Sequence, residues 1–544
     1  MGIEERADVI FGKGNASVSK IIGCPGTGKT TAILKLIDRA CDTYKFNEIG
    51  AVSYTNAAVN TMRNRIRKNT KARWEEISNI RTIHSHCFKL LGLTRKQVAD
   101  VKIDEWNELY PHFELPENTS IREDEHYADI NSESYAANRN KKIFQKMIIL
   151  RNLGLPKEEW HKVPDNQIRT FHSQIIRMSE AWEHFMFKYD YYDYTKMIEE
   201  CIEKKLMPEV NILFVDESQD LTYLQLKLLE IWSHNVKATI FSGDSDQAIF
   251  RFAGAAPEVF ARLKNDWKWV LEKSFRVPKK VHSYAMSIIN RVLTREDVVY
   301  EPRDGSEGVF IPRCKVPDFS LEGSHMILGR CNYHLNYWRQ YLISKDMPWH
   351  NPYRPGDKSW NPTNTRLWKA ATSYVRLKLG EDVETKDVKH MISEMISKDN
   401  LIRGAKSNVD MMLPEDETEK LDFFNLIDLG FFTQSFLSFK KTIPEVFHTK
   451  GQIGKIVAGL KEETFMEGPR VILGTCHSVK GGEASHVWID TSTSPQCLGA
   501  MRTPLYRDDE IRVAYVAATR TKHTLGLLAP RGMYNPAFPK TVNV

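Results

Sequence analysis

The chain alternates short apolar runs with longer stretches in which apolar residues recur at helical spacing. Each short run ends in a small or polar turn before the helical pattern begins. This alternation is typical of parallel α/β units, in which a buried strand is followed by a helix that covers the sheet. The runs that we predict to be buried strands are Val18–Ile22, Ile49–Ser53, Ile212–Val215, Ala238–Ser242 and Val471–Gly474.

Two long stretches depart from this alternation. Residues from about Phe88 to Trp182 are rich in Trp, Tyr, Lys, Arg and Glu at helical spacing, and they contain no clear buried strand. Residues from about Trp349 to Lys461 behave similarly and open with a turn-rich segment, PWHNPYRPG. The pattern therefore predicts two α/β lobes, each interrupted by a mainly helical insertion.

Composition is ordinary for a soluble globular protein of several domains. The chain has 544 residues, of which 42% are hydrophobic and 27% are charged. Its net charge of +6, from 76 basic and 70 acidic residues, permits a polyanionic partner without requiring one. The eight cysteines include no C-x-x-C pair, which argues against a zinc ribbon and fits a reducing compartment.

The sequence also bears on cellular location. We find no apolar run long enough to span a bilayer, so no membrane association is expected. The opening residues, MGIEER, lack the basic-then-apolar order of a signal peptide. We therefore expect a cytoplasmic protein.

The most specific motif is a phosphate-binding loop of the form G-x-x-x-x-G-K-T. It follows the first predicted strand and opens a predicted helix, Thr31–Ala40. In such a loop, glycines let backbone N–H groups turn toward phosphates, the lysine reaches the β and γ oxygens, and the threonine hydroxyl binds Mg²⁺. The residues expected to bind nucleotide are Gly23, Cys24, Pro25, Gly26, Thr27, Gly28, Lys29, Thr30 and the following Thr31.

Polar residues follow two further predicted strands. Asp216 and Glu217 come directly after Ile212–Val215; we expect Asp216 to bind Mg²⁺ and Glu217 to act as the general base for water. Gln247 follows Ala238–Ser242 and is expected to contact both the γ-phosphate and the attacking water. An acidic pair after a strand is more often a solvated loop, but the phosphate loop reverses that preference.

An aromatic triplet follows Gln247. Phe250, Arg251 and Phe252 place two rings on either side of a cation, an arrangement suited to base stacking and phosphate contact. The alternative, in which both rings belong to the core, is equally compatible with the triplet.

Together these motifs resemble a superfamily 1 DNA helicase of the UvrD/Rep/PcrA type, and they follow that family's order from Gly23 to about Leu528. The segment DESQD at 216–220 is similar to the family's D-E-x-Q-D, and 243–255 is similar to its G-D-x-D-Q motif. The resemblance implies two RecA-like P-loop lobes. Lobe 1A would comprise 1–87 and 183–280, insertion 1B 88–182, lobe 2A 281–348 and 462–544, and a reduced insertion 2B 349–461.

The resemblance also implies contacts with a DNA strand. The segment AVSYTNAA at 51–58 resembles T-F-T-N-x-A-A, TIHS at 82–85 resembles T-x-H-x, GRCN at 329–332 resembles R-x-N, and TCHSVKGGE at 475–483 resembles T-x-H-x-x-K-G-x-E. The residues implied to touch the strand are Tyr54, Asn56, His84, Arg330, Thr475 and His477, beside Phe250 and Phe252.

Further nucleotide contacts come from the same comparison. The segment SFR at 274–276 resembles N-Y-R, which implies that Phe275 stacks on adenine and Arg276 touches the γ-phosphate. Glu483 would contact the ribose. Arg520, in a segment that resembles Y-V-x-x-T-R, would be a second arginine finger. No glutamine precedes the phosphate loop, so the adenine-reading glutamine of many relatives is missing.

The implied function is an enzyme, an ATP hydrolase that needs Mg²⁺, translocates along single-stranded DNA from 3′ to 5′, and unwinds tailed duplex DNA. We expect a monomer. One alternative is an ATP-driven remodeller or translocase that does not separate strands. A second, a P-loop kinase or GTPase, leaves Gln247, Arg276 and Arg520 without a purpose.

Overall fold

A computed structural model of the chain describes residues 10–11, 17–53, 56–70, 73–99, 102–116, 135–162, 172–353, 361–413 and 418–540. The chain divides into two compact units. Unit 1 comprises Met1–Val277, Ala285–Ser306 and Gln496–Tyr515, and unit 2 comprises Pro278–Tyr284, Glu307–Pro495 and Val516–Val544.

Unit 1 is built on a six-stranded sheet with the order β3-β2-β4-β5-β1-β6. Every neighbouring pair in it is parallel. Strands β2, β4 and β5 consist of buried residues throughout, as expected for a parallel sheet covered on both faces. The strands are β1 (Ser17–Gly23), β2 (Ile49–Val52), β3 (Ile80–Arg81), β4 (Ile212–Val215), β5 (Ala238–Gly243) and β6 (Trp267–Leu271).

Helices surround this sheet and also form a separate region between β3 and β4. They are α1 (Lys29–Ala40), α2 (Asn56–Thr70), α3 (Ile83–Leu90), α4 (Ile103–Leu109), α5 (Tyr135–Asn152), α6 (His172–Lys188), α7 (Tyr194–Glu203), α8 (Tyr223–Ser233) and α9 (Pro257–Ala261). The next helix in the chain is α10 (Lys279–Ile289). Helix α1 buries Ile33, Leu36 and Ile37 against the sheet, with the spacing of a single helix face.

Unit 2 contains a five-stranded parallel sheet with the order β11-β8-β12-β14-β7. Two small antiparallel pairs, β9 with β10 and β13 with β15, accompany it. The strands are β7 (Val309–Cys314), β8 (His325–Gly329), β9 (Val383–Glu384), β10 (Lys420–Leu421), β11 (Val471–Thr475), β12 (Ala484–Asp490), β13 (Ser492–Thr493), β14 (Thr521–Leu528) and β15 (Met533–Tyr534).

The described residues between β8 and β11 are mainly helical. The helices are α11 (Asn332–Ser344), α12 (Arg366–Lys378), α13 (Thr385–Glu394), α14 (Ala405–Met412), α15 (Phe423–Asp428), α16 (Gln434–Leu437), α17 (Ile443–Val446), α18 (Gly451–Ala458) and α19 (Glu462–Glu467), followed later by α20 (Pro495–Ala500) and α21 (Pro504–Ala518). Helices α12 to α19 enclose their own core around Tyr374, Phe436 and Phe447.

The predicted fold class is confirmed: two units with parallel sheets each carry a mainly helical stretch. All five predicted strands are present, with each bound within one residue of the prediction. The helix after the phosphate loop begins at Lys29 rather than Thr31. Strands β6, β7, β8 and β12 were not among those predicted. Of these, β6 and β7 are edge strands that carry exposed and polar residues and so lack a continuous apolar run. The residue bounds of the two insertions remain predictions.

A buried ion pair fixes the helical region of unit 1. The Arg151 guanidinium lies 2.6 Å from a carboxylate oxygen of Asp193, whose side chain is fully buried. Asp193 also accepts hydrogen bonds from the Trp182 indole at 2.8 Å and from the backbone N–H of Lys196. Through the second of these bonds, Asp193 caps helix α7. These partners hold the pKa of Asp193 below its usual value, although burial alone would raise it.

We predict that Asp193→Ala lowers the free energy of unfolding of unit 1 by about 2–4 kcal/mol, because Arg151 then keeps only the partly exposed Glu199 as counter-ion, the buried Trp182 N–H loses its acceptor, and helix α7 loses its cap. Urea-induced unfolding, with hydrogen–deuterium exchange in α7 as the local readout, measures this change. Glu200→Ala is the control: Glu200 pairs with Lys204 one helical turn away, and its loss should change stability by less than about 0.5 kcal/mol. Equal losses for the two variants would contradict this account.

Candidate functional site

The phosphate loop connects β1 to α1 in unit 1. Gly26 and Gly28 have φ angles of 77° and 83°, in the left-handed region that favours glycine. The Lys29 ammonium donates a hydrogen bond to the Gly23 carbonyl oxygen at 2.5 Å. The Thr27 hydroxyl donates to the Cys24 carbonyl at 2.9 Å. The loop therefore adopts a compact turn in which its own side chains bond to its backbone.

Residues distant in sequence hold the back of this loop. The hydroxyls of Ser274 and Tyr300 both donate to the Pro25 carbonyl at 2.9 Å. The backbone N–H of Phe275 donates to the Gly26 carbonyl at 2.8 Å. A methyl group on Gly26 would lie 2.5 Å from Cβ of Arg276. Segment 274–276 is thus packed directly against the loop, and only glycine fits at position 26.

Asp216 lies at the carboxyl end of β4 beside the loop. One of its carboxylate oxygens accepts a hydrogen bond from the Ser242 hydroxyl at 2.6 Å, and the other lies 3.5 Å from the Thr30 hydroxyl. Burial, followed by the neighbouring charge of Glu217, raises the pKa of Asp216 to about 6. Hydrogen bonding to Ser242 and the charge of Lys29 oppose this rise. Additional positive charge at this position would favour the ionised carboxylate.

A chain of hydrogen bonds connects Glu217, the predicted general base, to Gln247, which is predicted to contact the γ-phosphate. The Gln219 amide donates to the Glu217 carboxylate at 2.5 Å, and its oxygen accepts from the Asp244 backbone N–H at 3.0 Å. The Asp244 carboxylate in turn accepts from the Gln247 amide at 2.7 Å. Glu217 has a φ angle of 54°, which is uncommon for a residue with a side chain. The structure therefore brings Glu217 and Gln247 into one network.

Carboxylates are concentrated around this network. Burial, together with Asp244, raises the pKa of Asp246 to about 7, although the Arg295 guanidinium lies 2.6 Å from its carboxylate. Burial likewise raises the pKa of Asp244. A site so rich in buried carboxylates favours the binding of cations.

The residues present fit Mg²⁺. Mg²⁺ prefers oxygen ligands and usually binds through one or two carboxylates together with substrate phosphates and water. The Asp216 carboxylate and the Thr30 hydroxyl, 3.5 Å apart, provide such oxygens. Within the described part of the chain, no group of three or more His, Cys, Asp or Glu side chains could hold a metal. The arrangement suits a metal shared with a nucleotide rather than one enclosed by protein ligands.

Phe275 and Arg276 are brought to the loop by segment 274–276. The Phe275 side chain is 72% exposed, and its ring lies on the side of the loop that carries Gly28. A large exposed ring beside a phosphate loop is available for stacking on a nucleotide base. Arg276 belongs to unit 1, the same unit as Lys29.

The aromatic triplet after Gln247 is only partly exposed. The Phe250 and Phe252 rings contact each other edge to face, with centroids 5.9 Å apart. The Arg251 guanidinium forms ion pairs with Glu258 at 2.8 Å and Asp509 at 3.1 Å. Arg251 is therefore occupied by carboxylates, and phosphate contact by this residue would require exchange of partners. The stacking role of the two rings remains a prediction.

His84 lies in the first turn of helix α3, just after β3. Its ring contacts Tyr194 edge to face at 5.2 Å, and its Nε2 is buried without a hydrogen-bond partner among the described residues. Burial lowers the pKa of His84 to about 4, so the imidazole is neutral at physiological pH. Tyr54 lies outside the described residues, as does the side chain of Asn56.

In unit 2, the predicted strand-contact residues lie at the carboxyl ends of two neighbouring strands. Thr475 ends β11, and Arg330 directly follows β8. The Cys476 backbone N–H donates to the Gly329 carbonyl at 3.0 Å, which connects the two turns. His477 is buried, whereas Thr475 and Arg330 are partly exposed. The structure thus groups these residues at one edge of the unit 2 sheet.

Glu483 and Arg520 have partners within unit 2. The Glu483 carboxylate lies 2.5 Å from the Lys522 ammonium. Arg520 is only 2% exposed, and its guanidinium donates to the carbonyls of Val516 at 2.9 Å and Gly482 at 3.4 Å. Their assignments to the ribose and the γ-phosphate remain predictions.

Several residues of the site were assigned no role from the sequence. Gln219 stood within a recognised motif, and Ser242 directly precedes Gly243 in another, so their positions were a usable signal. Arg295 and Tyr300 had no such signal, because they are about 50 and 275 residues from the partners that they bond.

Comparison with known proteins bears on this site. Residues 9–268 match the family model described as the UvrD/REP helicase N-terminal domain. The chain is 24% identical over 371 residues to a probable DNA helicase II homolog of Mycoplasma pneumoniae, covering 63% of this chain and 50% of that protein. It is 22% identical over 291 residues to an ATP-dependent DNA helicase Rep of Buchnera aphidicola, covering 50% and 41% respectively. The chain thus spans about half the length of these curated relatives.

In the described ranges, none of the helices combines the length and the apolar character needed to cross a bilayer.

We predict that Gly26→Ala destabilises unit 1 by roughly 1–3 kcal/mol more than Gly305→Ala. Both substitutions place a side chain at positive φ, but a Cβ at Gly26 meets Arg276 and Ser274, whereas none of the described atoms lies within 4 Å of a Cβ at Gly305. Urea-induced unfolding measures the difference, and hydrogen–deuterium exchange locates it at β1 and α1. Equal effects of the two variants would show that segment 274–276 does not pack against the loop.

Proposed function

We propose that the whole chain, whose residues 9–268 match the UvrD/REP helicase N-terminal domain family, is an ATP-dependent DNA helicase. It hydrolyses ATP with Mg²⁺, moves along single-stranded DNA from 3′ to 5′, and separates the strands of tailed duplexes. The observation that carries this proposal is the meeting of Lys29, Thr30, Asp216 and Glu217 at the carboxyl ends of the neighbouring strands β1 and β4–β5. Nucleotides bind at this edge of open parallel sheets.

Each residue of the site has a role in this proposal. Lys29 and the N–H groups of the loop hold the phosphates. The carboxylate of Asp216 and the hydroxyl of Thr30 hold Mg²⁺, which neutralises charge on the phosphates when it is bound. Glu217 accepts the proton of the attacking water, and Gln247 orients that water.

The hydrogen-bond network supports separate but linked roles for Glu217 and Gln247. Gln219 bonds to the Glu217 carboxylate and to the backbone that carries Asp244, and Asp244 bonds to Gln247. Because the Gln219 amide bonds to both sides of this network, a movement of Gln247 is transmitted to Glu217 through Asp244 and Gln219. Coupling of this kind suits an enzyme whose turnover must respond to a bound strand.

Nucleotide contacts beyond the strand ends come from three further residues. Phe275 stacks on the adenine base, and its exposure beside Gly28 supports this role. Arg276 contacts the γ-phosphate, which its packing against Gly26 supports. From unit 2, Arg520 serves as a second arginine finger and Glu483 binds the ribose; these two roles rest on motif resemblance.

DNA contacts are proposed in both units. In unit 1 they comprise Tyr54, Asn56, His84, Phe250 and Phe252. In unit 2, Arg330, Thr475 and His477 take the corresponding role, and their position at the carboxyl ends of β8 and β11 supports it. Cycles of ATP binding and hydrolysis would move a strand held by such contacts.

A second function, ATP-driven translocation or nucleoprotein remodelling without strand separation, uses the same residues. Relatives whose names describe DNA helicases favour strand separation. ATP hydrolysis that is stimulated by single strands, without displacement of a labelled strand from a tailed duplex, would favour the remodeller.

We predict that Lys29→Ala abolishes ATP hydrolysis and strand displacement while single-strand binding stays measurable, because the lysine contacts the phosphates of ATP and not the DNA strand. Displacement assays on matched DNA and RNA duplexes with 3′ or 5′ tails report polarity and substrate together. Lys35→Ala is the control, since Lys35 is exposed on the same helix α1. Retained turnover in the Lys29 variant would remove the phosphate-loop assignment.

We also predict that Glu217→Gln binds ATP as tightly as the wild type but loses at least 100-fold in turnover, the usual contribution of a general base. Equilibrium binding of a fluorescent ATP analogue and single-turnover hydrolysis separate the two quantities. Glu209→Gln, an exposed residue just before β4, serves as the control. Turnover near the wild-type rate would assign the base to another residue.

A further inference from the structure

Helix α2 of unit 1 carries an unbalanced positive charge. Its fifteen residues include Arg63, Arg65, Arg67 and Lys68 but no acidic residue. Among the residues that the structure describes, no carboxylate forms an ion pair with Arg65, Arg67 or Lys68, although other surface cations of unit 1, such as Lys268 with Glu296, are paired. Clustered unpaired cations on one helix attract polyanions.

The charged residues occupy the solvent side of the helix. Val59, Met62 and Ile66 are buried in a core shared with residues of the unit 1 sheet, at the spacing of a helix face that packs inward. Arg65 and Lys68 are exposed, and they lie about one turn apart on the opposite side. The buried face explains the fold of the helix, but it does not explain the cations.

An exposed indole lies at the end of this surface. Trp74, in the turn that follows α2, is 49% exposed, whereas Trp106, Trp182 and Trp232 of the same unit are fully buried. The guanidinium carbon of Arg67 lies 4.0 Å from the centre of the Trp74 ring, in cation–π contact. One face of the ring is therefore covered by a cation, and the remaining exposed surface is open to a flat, electron-rich partner such as a nucleobase.

The surface continues toward the predicted strand-contact residue His84. The Arg63 guanidinium donates to the Ile80 carbonyl at 2.8 Å, and Arg81 donates to the Ser85 hydroxyl at 3.3 Å. The charge of Arg81 contributes, after burial, to lowering the pKa of Arg63, so the two guanidinium groups are neighbours. Acidic residues in this region are Glu75 and Glu76, in the turn beyond Trp74, and Glu76 accepts the backbone N–H of Arg73.

We propose that the solvent face of α2 and Trp74 form an additional binding site for single-stranded nucleic acid. Arg65 and Lys68 contact phosphates, and one unpaired base stacks on the exposed face of Trp74, which Arg67 supports from behind. This inference rests on the proposed function and extends its strand path beyond the motif residues. A duplex is the less suitable ligand, because its bases are not free to stack on a side chain.

The experiment measures equilibrium binding of the full chain to two labelled oligonucleotides of equal length by fluorescence anisotropy: oligo-dT and a fully abasic strand. We expect Trp74→Ala to weaken binding of oligo-dT roughly 5- to 150-fold, the loss of one base stack, and to leave binding of the abasic strand unchanged. Trp74→Phe should recover most of the affinity for oligo-dT. Trp267→Ala, which truncates another exposed indole of unit 1, is the matched control and should bind both strands as the wild type does.

The cations are tested by their salt dependence. The double variant Arg65→Gln, Lys68→Gln should weaken binding of both oligonucleotides and reduce the slope of log affinity against log salt by about 1.4, or about 0.7 for each phosphate contact. Circular dichroism of each variant establishes that α2 is retained.

The proposal is overturned if Trp74→Ala binds oligo-dT at wild-type strength, or if it loses equal affinity for the abasic strand. Equal weakening on a blunt duplex would also reject the assignment to single strands. Wild-type protein that displaces strands while all α2 variants bind normally would refute this site and leave the proposed function standing. Failure of the wild type to bind any single strand or to hydrolyse ATP would refute the proposed function itself.

Discussion

The candidate site depends on one buried carboxylate. Asp216 follows a fully buried strand, and its own side chain is buried away from solvent. A charge in that position is unfavourable unless partners compensate for it. The Ser242 hydroxyl provides a short hydrogen bond, and Thr30 and Lys29 approach from the phosphate loop. The compensation is incomplete, since the pKa remains raised. The unit therefore folds with a site at which a cation is favoured, before any nucleotide arrives.

The parallel sheet explains how residues far apart in sequence reach Asp216. In the sheet order, β4, β5 and β1 are adjacent, so their carboxyl ends present Asp216, the segment after Gly243 and the phosphate loop side by side. Parallel strands are connected through helices that return the chain to the same starting edge, and all three turns consequently open in one direction. The positions of Lys29, Glu217 and Gln247 are set by this topology.

Much of this arrangement could be predicted from local sequence. Buried strands were recognised because their apolar runs are continuous, and the turns after them were recognised because Gly23–Thr30, Asp216 and Gln247 directly follow those runs. The edge strands β6 and β7 could not be recognised, because an edge strand is partly exposed and has no uniform apolar pattern. Burial alone was not a sufficient signal either, since β8 and β12 are largely buried and were not among the predicted strands.

The parts of the site that sequence could not predict are contacts between distant segments. Tyr300 and Ser274 hold the Pro25 carbonyl, and Arg295 pairs with Asp246, through hydrogen bonds whose partners have no fixed spacing along the chain. The pairing of Arg251 with Asp509 is of the same kind and gives this arginine a role in the fold that its aromatic neighbours did not suggest. Such contacts depend on tertiary packing, and local propensity contains no information about them.

Gln219 has a consequence of its own. A primary amide is chemically asymmetric: its nitrogen end only donates and its oxygen end only accepts. At position 219 the nitrogen faces the Glu217 carboxylate and the oxygen faces the Asp244 N–H. Rotation of the amide by half a turn would oppose oxygen to oxygen and N–H to N–H, so a single orientation is stable. The spacing between the two strand ends is thus maintained by a side chain that donates at one end and accepts at the other, and an ionised carboxylate, which only accepts, could not replace it.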